Sequence, residues 1–191
     1  MGIIGADEPL PHRPHRILVC GTSGSGKSTL ARAIGQALGL AYSELDRLFH
    51  GPGWVPRETF VAEVEQFAAA PEWVTEWQYN SVLGTRLPDR CDLVVWLDLP
   101  RRTVMRQVIN RTVSRRLRRT VLWNGNLEGP LRTFFTDPDH IVRWAWKQHH
   151  RTGLKVQALH ERRPELTIVR LRNRSEIARW RDRLTSDQPR G

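Results

Sequence analysis

Short apolar runs alternate along the chain with longer segments in which apolar residues recur at helical spacing. The runs lie at 16–20, 40–44, 73–76, 92–97 and 165–171, and the helical segments lie at 28–38, 58–70, 100–119, 140–150 and 175–184. The run at 92–97 is apolar at nearly every position, as in a strand that is buried on both faces. Because alternating strands and helices pack as crossover units, the pattern predicts an α/β fold with a five-stranded parallel sheet and helices on both faces.

The N-terminus and one internal segment lack this periodicity. Residues 1–15 contain three prolines and predict a flexible N-terminal arm, which leaves 16–191 as a single domain. The segment at about 120–138 contains Gly, Asn and Pro residues and predicts a loop or a lid. The apolar runs are far shorter than a membrane span and the N-terminus lacks a signal pattern, so we expect a cytoplasmic protein with no membrane partner.

Residues 21–28 read GTSGSGKS, which matches the G-x-x-x-x-G-K-S pattern of a phosphate-binding loop. The glycines let consecutive backbone N–H groups converge on a polyphosphate, Lys27 supplies a positive charge, and the Ser28 hydroxyl is a ligand for Mg²⁺. The loop lies between a predicted strand and a predicted helix, which places the phosphates at a helix N-terminus. The residues expected to bind the nucleotide here are Gly21, Thr22, Ser23, Gly24, Ser25, Gly26, Lys27, Ser28 and Thr29.

Three carboxylates follow predicted strands, at the sheet edge where α/β proteins bind ligands. They are Asp46, Glu76 and Asp98. Because Mg²⁺ keeps several waters in protein sites, a carboxylate has to hold one of them, and Asp46 and Glu76 are the candidates to do so through water. Asp98 is a third candidate, since it fits a loose pattern of an apolar run followed by Asp, although the Leu99 and Pro100 that follow it favour a structural turn. The sequence leaves open which carboxylate orders the magnesium shell.

Basic residues dominate the charge of the chain, which is +10, and eight arginines fall between 101 and 119. Three interpretations fit this cluster: a solvated helix face, a patch that binds nucleic acid, or the stem of a lid that closes arginines on nucleotide phosphates. Arg106, Arg111 and Arg115 are the candidates for phosphate contacts, because they lie at the stem of the predicted lid.

Tryptophans are frequent, with eight in 191 residues, and three of them fall in predicted loops near the site. These three are Trp54, Trp77 and Trp123. They either pack the loops or stack against a base or a sugar. A kinase would bury an acceptor pocket between Asp46, Trp54 and Tyr79.

Residues 16–184 resemble P-loop kinases of the adenylate kinase and shikimate kinase type, and in particular the small bacterial DNA topology modulation proteins, which are related to adenylate kinase. The similarity rests on the segments GTSGSGKS, LDRLFHGPGWV, EWVTEWQYNSV, CDLVVWLDLPRRTVMRQVINR, VLWNGNLEG and IVRLRNRSEIARW. The resemblance implies ATP and Mg²⁺ as cofactors, a helical acceptor region after the second strand and a lid after the fourth. It also implies that adenine packs near the loop after the fifth strand, at Arg172 and Asn173.

The chain also departs from both kinase types. Glu44 and Asp46 occupy the place of an Asp-x-Asp pair that lies near Mg²⁺ and the acceptor hydroxyl in shikimate kinases, but the triple-glycine acceptor segment of those enzymes is absent. Adenylate kinases carry Asp-Gly-Phe-Pro-Arg after the third strand, where this chain has Glu76-Trp-Gln-Tyr-Asn. Neither shikimate nor AMP is therefore supported as the acceptor.

The first functional hypothesis is an ATP- and Mg²⁺-dependent phosphotransferase that acts on a small molecule, with a nucleoside or nucleotide as one candidate. The alternative is a nucleotide-binding regulatory ATPase associated with DNA topology, and a third hypothesis is a kinase fold that binds nucleotide without turnover. The identity of the acceptor, the preference for ATP over GTP, the binding of DNA and the oligomeric state stay open.

Overall fold

The computed structural model of the protein describes residues 2–118, 121–126 and 141–186. Its strands are β1 (Ile3–Ile4), β2 (Arg16–Gly21), β3 (Ala41–Ser43), β4 (Trp73–Glu76), β5 (Leu93–Leu97) and β6 (Thr167–Leu171). Its α-helices are α1 (Lys27–Leu38), α2 (Leu45–Phe49), α3 (Phe60–Ala68), α4 (Asn80–Leu83), α5 (Arg101–Leu117), α6 (Ile141–Arg162) and α7 (Arg174–Ser186). Of the predicted lid at 120–138, only 121–126 fall within the described residues.

All strands in the described part of the chain join one parallel sheet, in the order β1-β6-β5-β2-β4-β3. The predicted α/β fold with a parallel sheet is confirmed, but the sheet has six strands and the predicted five was wrong. The sixth is β1, in the segment 1–15 that we expected to be a flexible arm; Ile3 pairs with Ile168 there, and Ala6 is buried. Two isoleucines between Gly2 and Gly5 are too short to stand out as a strand, and they pair because the edge of β6 offers hydrogen bonds.

The sheet separates two apolar layers because side chains alternate along each strand. On one side, Leu18 and Cys20 of β2 pack in a cluster with residues of α3 and α6. On the other side, Ile17 and Val19 pack in a cluster with residues of α1 and α7. Helices therefore cover both faces of the sheet, as the sequence pattern predicts. No helix within the described ranges is long and apolar enough to cross a membrane.

The register of the strands determines what meets at their carboxyl ends. Gly21, the last residue of β2, pairs with Leu97 of β5, and Leu97 pairs with Leu171 of β6. On the other side of β2, Glu76 at the end of β4 pairs with Val19. Strand β4 thus ends two residues short of the end of β2, and Glu76 lies beside Val19, two residues before the last residue of β2.

Candidate active site

The glycine-rich segment 21–28 turns tightly from β2 into α1, in the predicted strand, loop and helix context. The backbone N–H of Ser25 donates to the carbonyl of Thr22 at 3.0 Å, and the N–H of Leu30 donates to Gly26 at 2.9 Å as the helix begins. Gly24 and Gly26 have φ values of 83° and 98°, in the left-handed region that side chains disfavour. The loop geometry therefore depends on glycine at these two positions.

One face of this loop packs directly against α5. A Cβ atom on Gly24 would collide with Cγ2 of Val108, so the backbone approaches this helix more closely than any side chain would allow. With its amide oriented to suit both neighbours, Gln107 donates to the Gly24 carbonyl at 2.6 Å and accepts from Arg174 at 3.0 Å. The loop is thereby connected to α5 and to the first residue of α7.

Lys27 lies inside the loop, buried, with its Nζ donating to the carbonyl of Thr22 at 3.3 Å. Burial lowers the pKa of Lys27, and the nearby carboxylates of Asp46 and Glu76 act in the opposite direction. Asp46 and Glu76 therefore both lie within electrostatic reach of Lys27. A buried ammonium at the N-terminal end of α1 is suited to bind an anion.

Glu76 is fully buried, and two donors hold its carboxylate. The Tyr42 hydroxyl donates to Oε1 at 2.8 Å and the Leu45 N–H donates to Oε2 at 3.3 Å, while the nearby Thr75 hydroxyl gives its one proton to the Ser43 carbonyl at 2.7 Å. Burial and the adjacent carboxylate raise the pKa of Tyr42, so the phenol keeps its proton for this bond. The side chain of Glu76 is consequently fixed in place.

Asp46 lies in the first turn of α2 and is held through one of its two oxygens. Oδ1 accepts hydrogen bonds from Nε2 of Gln78 at 2.8 Å and from the hydroxyl of Tyr79 at 2.6 Å. Burial and the charge of Asp46 raise the pKa of Tyr79 well above its ordinary value, so Tyr79 stays a donor. Among the described residues nothing donates to Oδ2, which leaves that oxygen to a ligand.

His50 continues this chain of hydrogen bonds, although the sequence analysis did not single it out. Its Nε2 lies 3.1 Å from the Tyr79 hydroxyl oxygen. Since Tyr79 gives its one proton to Asp46, His50 must donate from Nε2, and in neutral His50 Nδ1 is then an acceptor. That Nδ1 is buried and has no partner among the described residues. A buried polar atom without a partner costs about 1–3 kcal/mol.

Residues 121–126, which we call the strap, dock on the loop at 50–54. The side chain of Asn126 accepts from the Trp54 N–H at 3.1 Å and donates to the Gly51 carbonyl at 2.9 Å. Asn124 donates to the carbonyl of His50. The segments HGPGW and LWNGN, distant in sequence, thus form one unit through two asparagine side chains, whose pairing the sequence alone does not indicate.

The strap also reaches Glu44, the residue two positions before Asp46. Burial raises the pKa of the half-buried Glu44 carboxyl, and a hydrogen bond from Trp123 opposes this shift. Arg32 of α1 lies 3.6 Å from the same carboxylate. The strap residue Trp123 is therefore connected to the carboxylate that follows β3.

The acceptor pocket expected between Asp46, Trp54 and Tyr79 is occupied by aromatic side chains. Phe49 stacks on Tyr79 with ring centroids 4.2 Å apart, and His50 lies edge-on to Trp54 at 5.0 Å. A cavity of about 710 Å³ lies nearby, and none of the three expected residues lines it. Its lining residues include Arg32, Tyr42, Glu44, Arg47, Arg57 and Asn124.

Lys155 of α6 is a second lysine near the site, partly buried, which the sequence did not point to. Its Nζ lies 3.9 Å from the centre of the Trp77 ring and donates to the Trp77 carbonyl at 3.0 Å and to the Asn80 side chain at 3.3 Å. These two acceptors flank Gln78 and Tyr79, which hold Asp46. Lys155 therefore stabilises the turn that positions this carboxylate, because it binds a residue at each end of it. A lysine on a helix distant in sequence carries no signal of such a contact.

Asp98, the third carboxylate after a predicted strand, is engaged in an ion pair. Both Nε and Nη2 of Arg170 bind its Oδ2, at 2.8 and 2.5 Å.

Arg172 and Asn173, the residues expected near adenine, lie at the N-terminal end of α7. The Oδ1 of Asn173 accepts from the Glu176 N–H at 2.9 Å and so caps the helix, while the Glu176 carboxylate accepts from the Arg172 N–H at 2.7 Å. Asn173 directly precedes the helix, which begins at Arg174.

The three arginines predicted for phosphate contacts lie along α5 with unequal exposure. Arg106 is exposed, while Arg111 and Arg115 are half-buried. The guanidinium of Arg115 lies 5.8 Å from the centre of the Trp123 ring in the strap. One of the three therefore contacts the part of the predicted lid that the structure describes.

A magnesium ion at this site would need ligands from a bound nucleotide. In the ranges that the structure describes, no group of three or more His, Cys, Asp or Glu side chains converges to hold a metal. Mg²⁺ bound to a nucleotide needs only one or two protein ligands besides phosphate and water. The Ser28 hydroxyl and the free Oδ2 of Asp46 fit this role, whereas both oxygens of Glu76 already accept hydrogen bonds.

Comparison with known proteins gives distant structural likenesses only. No family model matches the chain, and no curated protein matches it. The fold is similar to a shikimate kinase from Bacteroides thetaiotaomicron, with 19% identity, a TM-score of 0.45 and coverage of 91% of this chain and 98% of that chain. It is also similar to a gluconokinase from Sinorhizobium meliloti, with 20% identity, a TM-score of 0.44 and coverage of 91% and 95%.

Proposed function

We propose that this protein is an ATP- and Mg²⁺-dependent phosphotransferase that acts on a small hydroxylated molecule. The observation that supports this function most strongly is the grouping of buried Lys27 with Asp46 and Glu76 at the N-terminal end of α1. Phosphoryl transfer depends on neutralising charge and positioning groups, and this site offers a cation, backbone N–H groups and fixed carboxylates. Such a protein would work in the cytoplasm, where ATP is available.

Each residue has a role in this proposal. The backbone of 21–29 and Lys27 bind the triphosphate. Mg²⁺, when bound with the nucleotide, neutralises phosphate charge, and Ser28 and Asp46 would hold it, with Glu76 acting through water. The free Oδ2 of Asp46 also suits it to orient the acceptor hydroxyl, while Gln78 and Tyr79 keep the carboxylate in position.

The arginines of α5 and the loop after β6 complete the nucleotide site in this proposal. Arg106, Arg111 and Arg115 would contact phosphates when a lid at about 120–138 closes, because arginine forks suit phosphate oxygens and closure excludes water. Arg172 and Asn173 would lie beside the adenine. The side-chain amide of Asn173 is already bound to the N–H and the carboxylate of Glu176, so its contact with adenine would be one of packing.

The alternative is a regulatory ATPase that binds DNA, which the resemblance to DNA topology modulation proteins suggests. It is favoured by the exposed arginines Arg102 and Arg106 within a cluster of eight, and by the net charge of +10. DNA binding through this cluster would weaken steeply with salt, because each phosphate contact releases counterions. Binding of duplex DNA measured at low and moderate salt distinguishes this function from a kinase.

A screen for acceptor-dependent ADP release tests the proposed function. Purified protein with ATP and Mg²⁺ is offered nucleosides, nucleotides and small polyols, and we expect at least one acceptor to raise ADP release above the basal rate. The Lys27→Ala variant should lose this increase. A basal rate that no acceptor changes, together with salt-sensitive DNA binding, would favour the regulatory ATPase.

A further inference from the structure

One peptide group of the glycine-rich loop, between Gly24 and Ser25, is held at both of its ends. The Ser25 N–H donates to the Thr22 carbonyl at 3.0 Å. On the opposite side, the Gly24 carbonyl accepts from the side-chain amide of Gln107 at 2.6 Å. Since the N–H and C=O of a trans peptide point in opposite directions, these two bonds fix the plane of the peptide. Glycine adopts many backbone conformations readily, so the φ of 83° at Gly24 depends on such outside bonds.

The Thr22 carbonyl connects this peptide with Lys27. It accepts from Nζ of Lys27 at 3.3 Å as well as from the Ser25 N–H. A rotation of the peptide between Gly24 and Ser25 would withdraw one of these two donors and disturb the acceptor that holds the ammonium. The bond from Gln107 therefore acts on both parts of the loop that the proposed function assigns to the triphosphate, which are the backbone N–H groups and the lysine.

Gln107 can hold the loop because the part of α5 that carries it is fixed by packing. Its neighbour Val108 is fully buried in a small apolar cluster with Leu99 and Val104. The Gln107 amide has one orientation available, because its oxygen would otherwise lie against the Gly24 carbonyl oxygen. The amide nitrogen therefore faces the loop and the amide oxygen faces away from it.

Arg174, the first residue of α7, binds the other end of the same amide. Its Nη2 lies 3.0 Å from the Gln107 oxygen, and because a guanidinium only donates, it leaves the amide nitrogen to Gly24. Arg174 directly follows Arg172 and Asn173, the residues that we expect beside adenine. A continuous set of hydrogen bonds thus leads from the expected adenine side of the nucleotide site, through Gln107, to the loop expected to bind phosphates.

We propose that Gln107 is a positioning residue of the nucleotide site, which holds the phosphate loop in its binding conformation through the Gly24 carbonyl and is itself oriented by Arg174. The proposal rests on the proposed phosphotransfer function and adds to the same site a residue outside the loop. Gln107 acts on the triphosphate only through the loop, because its amide is fully used by Gly24 and Arg174. Its loss should therefore weaken nucleotide binding in a protein that is still folded.

Calorimetric titration of the full chain with a non-hydrolysable ATP analogue and Mg²⁺ tests this role. Gln107→Met keeps the length of the side chain and removes the donor, so we expect the analogue to bind at least threefold more weakly, in the range of a single hydrogen bond. Gln157→Met is the matched control, since Gln157 lies exposed on α6 and donates to Glu161 at 3.2 Å, and it should keep wild-type affinity. A loss of less than threefold in Gln107→Met, or an equal loss in Gln157→Met, would overturn the proposal.

A second variant, Gln107→Glu, separates the bond to the loop from the bond to Arg174. The carboxylate still accepts from Arg174 but has no proton to donate to the Gly24 carbonyl, so we expect the affinity for the analogue to fall at least threefold here too. Asn110→Asp adds the same charge at an exposed position three residues further along α5 and should have a smaller effect. An equal loss in Gln107→Glu and Asn110→Asp would assign the effect to charge alone and contradict the proposal. Thermal unfolding confirms that each variant is folded, and Gln107→Glu carries the test if Gln107→Met unfolds.

A double-mutant cycle tests the part assigned to Arg174. Arg174→Met should weaken binding of the analogue in the wild type and have at most half of that fold-effect in Gln107→Met, because Arg174 acts through Gln107. The same fold-effect in both proteins would show that Arg174 acts on the phosphates by its charge and would contradict its orienting role. If the wild type binds the analogue and Gln107→Met binds it equally well, the positioning role fails while the proposed function stands. If the wild type does not bind the analogue, the proposed function itself fails, and the positioning role fails with it.

Discussion

The Tyr79 hydroxyl donates its proton to Oδ1 of Asp46 at 2.6 Å, and this bond connects the end of β4 to the first turn of α2. A short bond to a carboxylate is charge-assisted and stronger than a neutral one. Because Tyr79 and Gln78 both bind Oδ1, the carboxylate is fixed with Oδ2 free. The proposed function depends on this fixed orientation.

Asp46→Asn should lower kcat by about 10²–10⁴-fold, the range that general acid–base groups contribute, while the affinity for ATP changes much less. The amide keeps the size of the side chain but removes the negative charge that orients the acceptor and the metal-bound water. Steady-state kinetics with an acceptor found by the screen measures kcat, and calorimetry measures ATP affinity.

Asp98→Asn is the matched control, since it makes the same change at another strand end. Asp98 pairs with Arg170, and both side chains are partly exposed, so we expect a loss of about 1 kcal/mol or less in unfolding free energy and an unchanged kcat. If Asp98→Asn lowers kcat as much as Asp46→Asn does, the assignment of the carboxylate is wrong.

Gly24→Ala should lower both stability and ATP affinity. The left-handed backbone disfavours alanine by about 1–2 kcal/mol, and the added Cβ would collide with Val108, which brings a further overpacking cost of about 1–3 kcal/mol. The double variant Gly24→Ala, Val108→Ala should recover the overpacking cost, because the smaller side chain leaves room for the added Cβ. Urea unfolding and ATP titration are the measurements.

Gly39→Ala serves as the control for backbone strain alone. Gly39 has φ of 71° at the C-terminal end of α1, and a Cβ there would meet nothing within 4 Å. We expect it to lose stability but to keep wild-type ATP affinity. Equal ATP affinity in Gly24→Ala and Gly39→Ala would show that the loop geometry does not matter for the nucleotide.

The lowered pKa of Lys155 in the folded protein predicts that the free energy of unfolding depends on pH. Burial lowers its pKa in the folded protein below the ordinary 10.5, so between these two values the unfolded chain binds more protons and stability rises with pH. Lys155→Met removes this contribution, while Lys27, whose pKa is lowered in the same direction, is present in both proteins. The unfolding free energy of the wild type minus that of the variant should increase from neutral pH towards 10.5.

Urea unfolding of both proteins across this pH range measures the difference. A difference that stays constant would mean that the folded protein protonates Lys155 as easily as the unfolded chain does. A difference that falls with pH would reverse the sign and indicate that the Trp77 ring and carbonyl stabilise the charged form more than burial disfavours it.

Periodicity in the sequence was sufficient to predict the strands from β2 to β6 and the parallel sheet, because buried strands and amphipathic helices leave long regular patterns. It failed for β1, which has two residues and needs the edge of β6, and for α2, whose five residues are shorter than two helical turns. The loop at 21–28 was predictable because each position has a physical requirement of its own.

The surroundings of Asp46 were only partly predictable. A carboxylate after a strand indicates a ligand site, but the partners of Asp46 come from Gln78 and Tyr79, more than thirty residues away. The same is true of Lys155, whose hydrogen-bond acceptors Trp77 and Asn80 lie more than seventy residues away in the sequence. Such contacts depend on the three-dimensional packing of helices whose faces carry no distinctive spacing. The pairing of Asp98 with Arg170 was hidden for the same reason.

The central claim is that the loop with Lys27 binds the triphosphate of ATP, and titration of ATP with Mg²⁺ into wild type and Lys27→Ala tests it most directly. Arg162→Ala is the control, since it removes one positive charge at an exposed ion pair with Asp89. We expect the wild type and Arg162→Ala to bind ATP with equal affinity, and folded Lys27→Ala to lose most of this affinity. Wild-type affinity in Lys27→Ala would contradict the account.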